Sequence, residues 1–294
     1  FYVSVDSHNL DELKIGSKAG ADYLLSIKDE SYHILEELDS YPILIPTDNN
    51  MNEFYKLIER AEKDKLTYIA DPILDPISYG FTQSLDRYIQ LRNNYPHIHV
   101  MMGLGNITEL THADTTGINM LMLGIIDELR INHILTTQVS RHCSTVIRET
   151  DLARRIIHAA SENSITPKHI DDRLLVNHSH KDYSFSTEEL ITMKNDIKDK
   201  NYRIYINDDG IHLFNKNIYK CFNDPYQFYE FLEVDHDSGH AFYLGVELAR
   251  AQIAYQLKKE YNQDEELEWG CLIDKKEDNK IDIKELGPTF KKNQ

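Results

Sequence analysis

The sequence predicts an α/β protein followed by a second, smaller α+β domain, and three observations carry that expectation. Six short apolar segments, at residues 2–5, 23–27, 42–46, 66–70, 97–102 and 133–137, each end in polar residues. Helical patterns separate them. Beyond about residue 165 this alternation stops and hairpin chemistry replaces it. Six βα units in series suit either an open doubly wound sheet or most of a closed eight-stranded barrel.

The six segments are short and mostly lack period-2 polarity, which suits strands buried on both faces. After segment 2–5 a helix is expected over 10–19, capped by Asn9. Lys18-Ala19-Gly20-Ala21-Asp22 then reads as a helix end and a turn into segment 23–27. A weaker helical pattern covers 30–38. Segment 42–46 leads to a helix over 51–62, with Asp48 as its expected cap. Segment 66–70 stops at Asp71-Pro72, because proline lacks the N–H and restricts its neighbour. The next helix, 83–93, carries Leu85, Tyr88, Ile89 and Arg92 at helical spacing. Segment 97–102 opens into Gly103-Leu104-Gly105-Asn106-Ile107-Thr108-Glu109, and helices at 116–129 and 145–160 flank segment 133–137. Phe1 falls inside what reads as a buried strand, with no initiator methionine, so a fragment lacking upstream sequence is expected.

Residues 166–185 are polar, contain Pro167 and read as a linker between residues 1–165 and 186–294. The second domain is expected to hold a helix at 188–198 and strands at 202–206, 210–214 and 218–221. A hairpin turn is expected at Asn207-Asp208-Asp209-Gly210, a short helix at 225–232 and a long amphipathic helix at 239–261. The stretch from Asp274 is a charged tail.

Composition narrows the function classes. A chain of 294 residues, 41% hydrophobic, is long enough for one large domain or two smaller ones. The formal charge of −17 opposes non-specific nucleic-acid binding, while leaving room for a locally positive pocket. No apolar run approaches the roughly 20 residues of a membrane helix, and no signal-peptide pattern opens the chain. Three cysteines without short spacing argue against a disulfide framework or a zinc ribbon, so a reducing, cytoplasmic compartment is expected. The groups His169, His178, His180 and Asp235, His236, Asp237, His240 fit neither HExxH nor a Cys/His zinc pattern, and no metal site is assigned to them.

Polar loops that follow parallel strands are where α/β proteins place their chemistry. Asp6 ends the first segment and Asp71 follows the fourth, so both acids can face one mouth. A carboxylate accepts two hydrogen bonds from a planar amino-heterocycle; capping a helix or supporting a loop is the competing role. Asp75 could bind a metal or cap its loop. Asn106, Thr108 and Glu109 follow the fifth segment, and Gly103 and Gly105 permit close approach of backbone to a ligand. After the sixth come Thr136, Thr137, Gln138, Ser140, Arg141 and His142, then Arg148. Arginine and backbone N–H groups there could hold a phosphate or pyrophosphate. Surface pairing of Arg148 with Asp151 or Glu149 is the alternative, and Arg154 and Arg155 are expected at the surface.

Several of these stretches resemble the dihydropteroate synthase-like proteins of the pterin-binding barrel superfamily, particularly the group linked to methanopterin biosynthesis. They are Val3-Ser4-Val5-Asp6-Ser7, Lys18-Ala19-Gly20-Ala21-Asp22-Tyr23-Leu24-Leu25-Ser26, Asp71-Pro72-Ile73-Leu74-Asp75-Pro76, Gly103-Leu104-Gly105-Asn106-Ile107-Thr108-Glu109-Leu110-Thr111 and Leu135-Thr136-Thr137-Gln138-Val139. Asp237-Ser238-Gly239-His240-Ala241-Phe242-Tyr243-Leu244-Gly245 resembles that group's carboxy-terminal module. The resemblance implies a partial (β/α)8 TIM barrel, with six of eight βα units present. It places the pterin-binding acids on Asp6 and Asp71, and the pterin-binding Asn on Ser26, which makes fewer hydrogen bonds. The synthases' S-R-K loop is replaced by Gly103-Leu104-Gly105-Asn106, so the pterin-contacting lysine is absent. Their R-x-H pair has no clean counterpart, although Arg141-His142 lies nearby.

The expected substrate-binding set is therefore Asp6, Ser26, Asp71, Asp75, Asn106, Thr108, Gln138, Arg141 and Arg148. The implied activity joins a dihydropterin methyl diphosphate to an aromatic amine, toward a tetrahydromethanopterin-type cofactor of C1 metabolism. Mg²⁺ is expected with the diphosphate, reduced pterin as substrate or ligand, and a homodimer as the assembly. A pterin-dependent methyltransferase serving an acceptor such as a corrinoid protein is one alternative. A non-catalytic pterin-binding or assembly subunit is the other.

Overall fold

A computed structural model gives the structure of residues 1–273. The chain forms two compact units, the first ending at Leu174 and the second beginning at Leu175. In the first, strands and helices alternate in chain order. They are β1 (Ser4–Asp6), α1 (Leu10–Lys18), β2 (Tyr23–Ile27), a 3-10 helix (Asp29–Glu37), β3 (Tyr41–Leu44), α2 (Met51–Lys63), β4 (Ile69–Ala70) and α3 (Phe81–Asn94). Then follow β5 (Met101–Gly103), the single-turn α4 (Gly105–Thr108), α5 (Thr115–Glu128), β6 (His133–Leu135) and α6 (Val146–Glu162).

All strand pairs of this unit are parallel. β1 to β4 pair consecutively, β5 pairs with β6, and a single parallel bridge from Ala70 to Val100 joins the two sets. The order runs 1 to 6 without a reversal. Alternation along the strands divides the apolar residues into two layers. Leu24, Leu44, Ala70 and Met102 pack with Leu13, Phe54, Ile58, Tyr88, Leu91 and Leu123 of the helices. Leu25, Ile43, Ile45, Ile69 and Met101 form a separate cluster with Tyr23 and Ile73. Two-sided burial thus holds for the central strands.

It does not hold at β1. Residues 2–5 were expected to be buried, yet Tyr2 and Val3 are exposed and the strand runs over Ser4–Asp6 instead. Among the described residues β1 pairs with β2 alone, so it is an edge. β4 shrinks to two residues and β5 begins only at Met101, because each makes few ladder bonds beside the 70–100 bridge. Asn9 caps α1 as expected, its side chain accepting from the Asp11 N–H. Asp48 does not cap α2. That role falls to Asn50, which accepts from the N–H groups of Asn52 and Glu53, while Asp48 sits in the left-handed region at φ 50°. The weak pattern at 30–38 becomes a 3-10 helix, held at its start by Ser31, which receives the Lys28 N–H.

The second unit contains α7 (Thr187–Asp196), an antiparallel sheet of β7 (Arg203–Asn207), β8 (Gly210–Phe214) and β9 (Tyr219–Phe222), and α8 (Ser238–Leu257). Asn207 pairs with Gly210 across the Asp208-Asp209 turn, as its turn residues predict. Asp237 caps α8 by accepting from the His240 N–H. The helix ends four residues earlier than expected, at Leu257, and the following Lys258 adopts φ 50° and closes the last turn, its N–H donating to the carbonyls of Ala254 and Tyr255. Part of the expected linker belongs to this unit: Val176 is buried and its carbonyl accepts from Lys259 Nζ at 2.6 Å. The expected tail from Asp274 lies outside the described residues.

No helix of the described residues is long and apolar enough to cross a membrane.

Candidate functional site

The loop after β4 is the best-anchored polar segment at the C-terminal ends of the strands. The Asp71 N–H still donates to Leu44 O at 2.9 Å, extending the ladder by one residue before Pro72 ends it. Asp71 is buried, and its Oδ1 accepts both the Tyr88 hydroxyl at 2.7 Å and the Ile73 N–H at 2.8 Å. Its Oδ2 has no hydrogen-bond partner among the described residues. Burial raises the Asp71 carboxyl from its ordinary 3.8 to about 6, against the lowering effect of those two bonds and of Arg87. The same burial, with the carboxylate beside it, holds the Tyr88 phenol well above its usual range.

Asp75, at the far end of the loop, is fixed by Arg87. The guanidinium donates to Pro72 O at 3.0 Å, Ile73 O at 2.7 Å and Asp75 Oδ2 at 2.8 Å. Asn106 Nδ2 adds a bond to Leu74 O at 2.7 Å. Gly80 closes the loop onto α3 at φ 112°, and a Cβ there would stand 2.9 Å from Asp75 Oδ2. Asp75 therefore supports its loop. Asp71 and Asp75 are held in one loop by Tyr88 and Arg87 of α3, and Asn106 reaches the same loop through Leu74 O.

A second assembly lies between the loops after β5 and β6. Glu109 Oε1 accepts from the Val139 N–H at 2.8 Å and Thr137 Oγ1 at 3.2 Å, and its Oε2 accepts from the Ser140 N–H at 2.9 Å. These donors pull the Glu109 carboxyl down to about 2. Gln138 is exposed and donates to Ser144 O. Arg141 is exposed, with no side-chain hydrogen bond or ion pair among the described residues. Arg148 is exposed on α6. Arg154 and Arg155 both pair with Asp151 at the surface, as expected. Glu149 is buried instead of surface-paired, accepting from Asn119 and Thr145.

Asp6 and Ser26 stand apart from both assemblies but at the same end of the sheet. Asp6 is level with Leu25, Leu25 with Ile43, and Ile43 with Ile69. Asp6 and Asp71 are thus separated by three strand spacings and two residues of rise, about 14 Å across and about 7 Å along a flat sheet. They lie at the same end of the sheet without touching. The Asp6 carboxylate is exposed, and Ser26 is half-buried where the β2–β3 register shifts. Thr108 faces inward. It is fully buried, and its hydroxyl donates back to the carbonyl of Leu104, the residue that precedes α4. Among the described residues no three His, Cys, Asp or Glu side chains gather as a metal site.

Arg87 and Glu109 were not in the expected set. A signal for Arg87 exists: Ser84, Arg87, Tyr88 and Leu91 recur at i, i+3, i+4 and i+7, and all four are buried. A cation on that stripe has to find partners at the strand ends.

No family model matches this chain. Over an alignment of 309 residues it is 30% identical to an uncharacterized protein of Methanocaldococcus jannaschii, covering 90% of this chain and 58% of that relative. The chain spans little more than half the length of the relative it matches.

Proposed function

We propose that the protein is a cytoplasmic, homodimeric pterin-binding transferase of the dihydropteroate synthase type, acting at the C-terminal mouth of a partial (β/α)8 barrel. The observation that carries this reading is Asp71: a buried carboxylate with one oxygen fully engaged and the other open. Such an acceptor suits the amino and ring N–H groups of a pterin, and burial strengthens the pairing. Asp6, across the mouth, would take a second contact. The aromatic amine nitrogen would then attack the pterin methylene carbon as the bond from that carbon to diphosphate oxygen breaks. The electron pair leaves on diphosphate and the amine proton passes to solvent. Mg²⁺ would arrive with the diphosphate and draw its oxygen ligands from that group and from water.

Calorimetric titration of the full-length protein with a reduced pterin tests the reading. Micromolar or tighter binding is expected, weakened by Asp71→Ala by about 1–3 kcal/mol as buried hydrogen bonds are lost. An affinity that the substitution leaves unchanged, or no binding at all, rejects it.

A second reading, pterin-dependent methyl transfer, is favoured by one specific feature. Arg87, the buried cation nearest the Asp71 loop, is bound to Asp75 and two carbonyls and is not free to hold a diphosphate. Methyl transfer from a methylated tetrahydropterin to a corrinoid acceptor would support that reading, and diphosphate release in the presence of an aromatic amine would support the first.

A further inference from the structure

We propose that the loop following β6, residues 137–140, is a binding site for a phosphoryl anion, and that the Glu109 carboxylate occupies it in the unliganded protein. The donors converge as they would on a bound anion. Consecutive backbone N–H groups of Val139 and Ser140 reach the two carboxylate oxygens at 2.8 and 2.9 Å, and the Thr137 hydroxyl adds a third bond at 3.2 Å. Successive N–H groups turned inward make an anion-binding concavity. Two oxygens of a phosphoryl group present the same pair of acceptors as the carboxylate they would replace.

Three further observations fit displacement better than a permanent clamp. Glu109 is half-exposed at the end of the one-turn α4, so its side chain can swing out by rotamer change without moving a strand. Arg141, immediately after the loop, carries an exposed guanidinium with no side-chain partner among the described residues, in a chain of net charge −17. Gly105 lies under the loop, and a Cβ there would stand 2.9 Å from Thr137 Oγ1, so the donor is seated by close approach to bare backbone. The site lies at the same end of the strands as Asp71. Only the identification of its anion as a substrate diphosphate rests on the function proposed above; the site itself is independent of it.

The test is calorimetry of the full chain with inorganic pyrophosphate and no pterin. Removing the internal carboxylate by Glu109→Ala should tighten pyrophosphate binding about tenfold or more, because charge-assisted bonds no longer have to be displaced. Glu109→Gln should fall between the two, and Arg141→Ala in the Glu109→Ala background should reverse the gain. A Glu109→Ala protein with native circular dichroism that binds pyrophosphate no tighter than the parent overturns the proposal. If that variant does not fold, Glu109→Gln is judged alone: tighter binding supports the site and equal or weaker binding overturns it. Pterin titrations of Asp71 variants are read separately, so either idea can fail while the other stands.

Discussion

Tyr88 donates its hydroxyl to Asp71 Oδ1 across 2.7 Å, and both side chains are buried. Removing that donor by Tyr88→Phe leaves a buried carboxylate with only the Ile73 N–H as a partner. The expected cost is about 1–3 kcal/mol of stability at neutral pH, where the carboxylate is charged. Urea unfolding measures it. A variant as stable as the parent at pH 8 would show that the bond contributes nothing net.

The pH dependence of Asp71 has a definite sign. Its folded pKa is raised from 3.8 to about 6 because burial disfavours the charge. The folded chain therefore holds the proton more tightly than the unfolded chain. This contribution to stability is fully present below about pH 4 and is lost as the pH rises through about 6. Asn at this position keeps an oxygen for Tyr88 and Ile73 and carries no charge. Asp71→Asn should be the more stable protein at pH 7.5, by on the order of 3 kcal/mol at most, with the gap closing by pH 3.5. Paired urea titrations at the two pH values check it, and a gap that widens toward acid would refute the assignment.

Arg87→Lys keeps the charge and loses the fork. One ammonium cannot reproduce the three bonds to Pro72 O, Ile73 O and Asp75 from the same position. A loss of about 2–4 kcal/mol is expected from the unmatched carbonyls and the weakened buried ion pair. Limited proteolysis should find the loop at residues 71–80 cut faster than in the parent. An unchanged cleavage pattern would mean that Arg87 does not hold the loop.

The central strands were legible because Leu24, Leu44, Ala70 and Met102 leave no polar face in segments too short for helices, whereas their consecutive order, left open between a doubly wound sheet and a barrel, emerges only from the strand pairing. β1 misled because Tyr2 and Val3 look like interior residues, while burial depends on a neighbour that local sequence does not specify. Asn9 and Asp237 could be read as caps from local chemistry alone. Asp48 and Asn50 are both capping types two residues apart, and only the backbone decides between them. At the mouth, Asp71 was legible from its place at a strand end. Arg87 went unread although it lies on the stripe of Ser84, Tyr88 and Leu91, because an arginine in a helix usually points to water. Thr108 had the right chemistry and loop but turned inward to bond Leu104.

The grip of α3 on the Asp71–Asp75 loop comes from two successive residues, Arg87 and Tyr88, each aimed by its phase on the helix. Each residue of an α-helix advances the next by about 100°. Substitutions at exposed positions of α3 such as Gln83 or Asp86 leave that phase untouched. Adding or deleting one residue between Phe81 and Asp86 would turn both side chains away from the loop together. The front half of α3 thus behaves like a key of fixed length, free to change its letters but not their number.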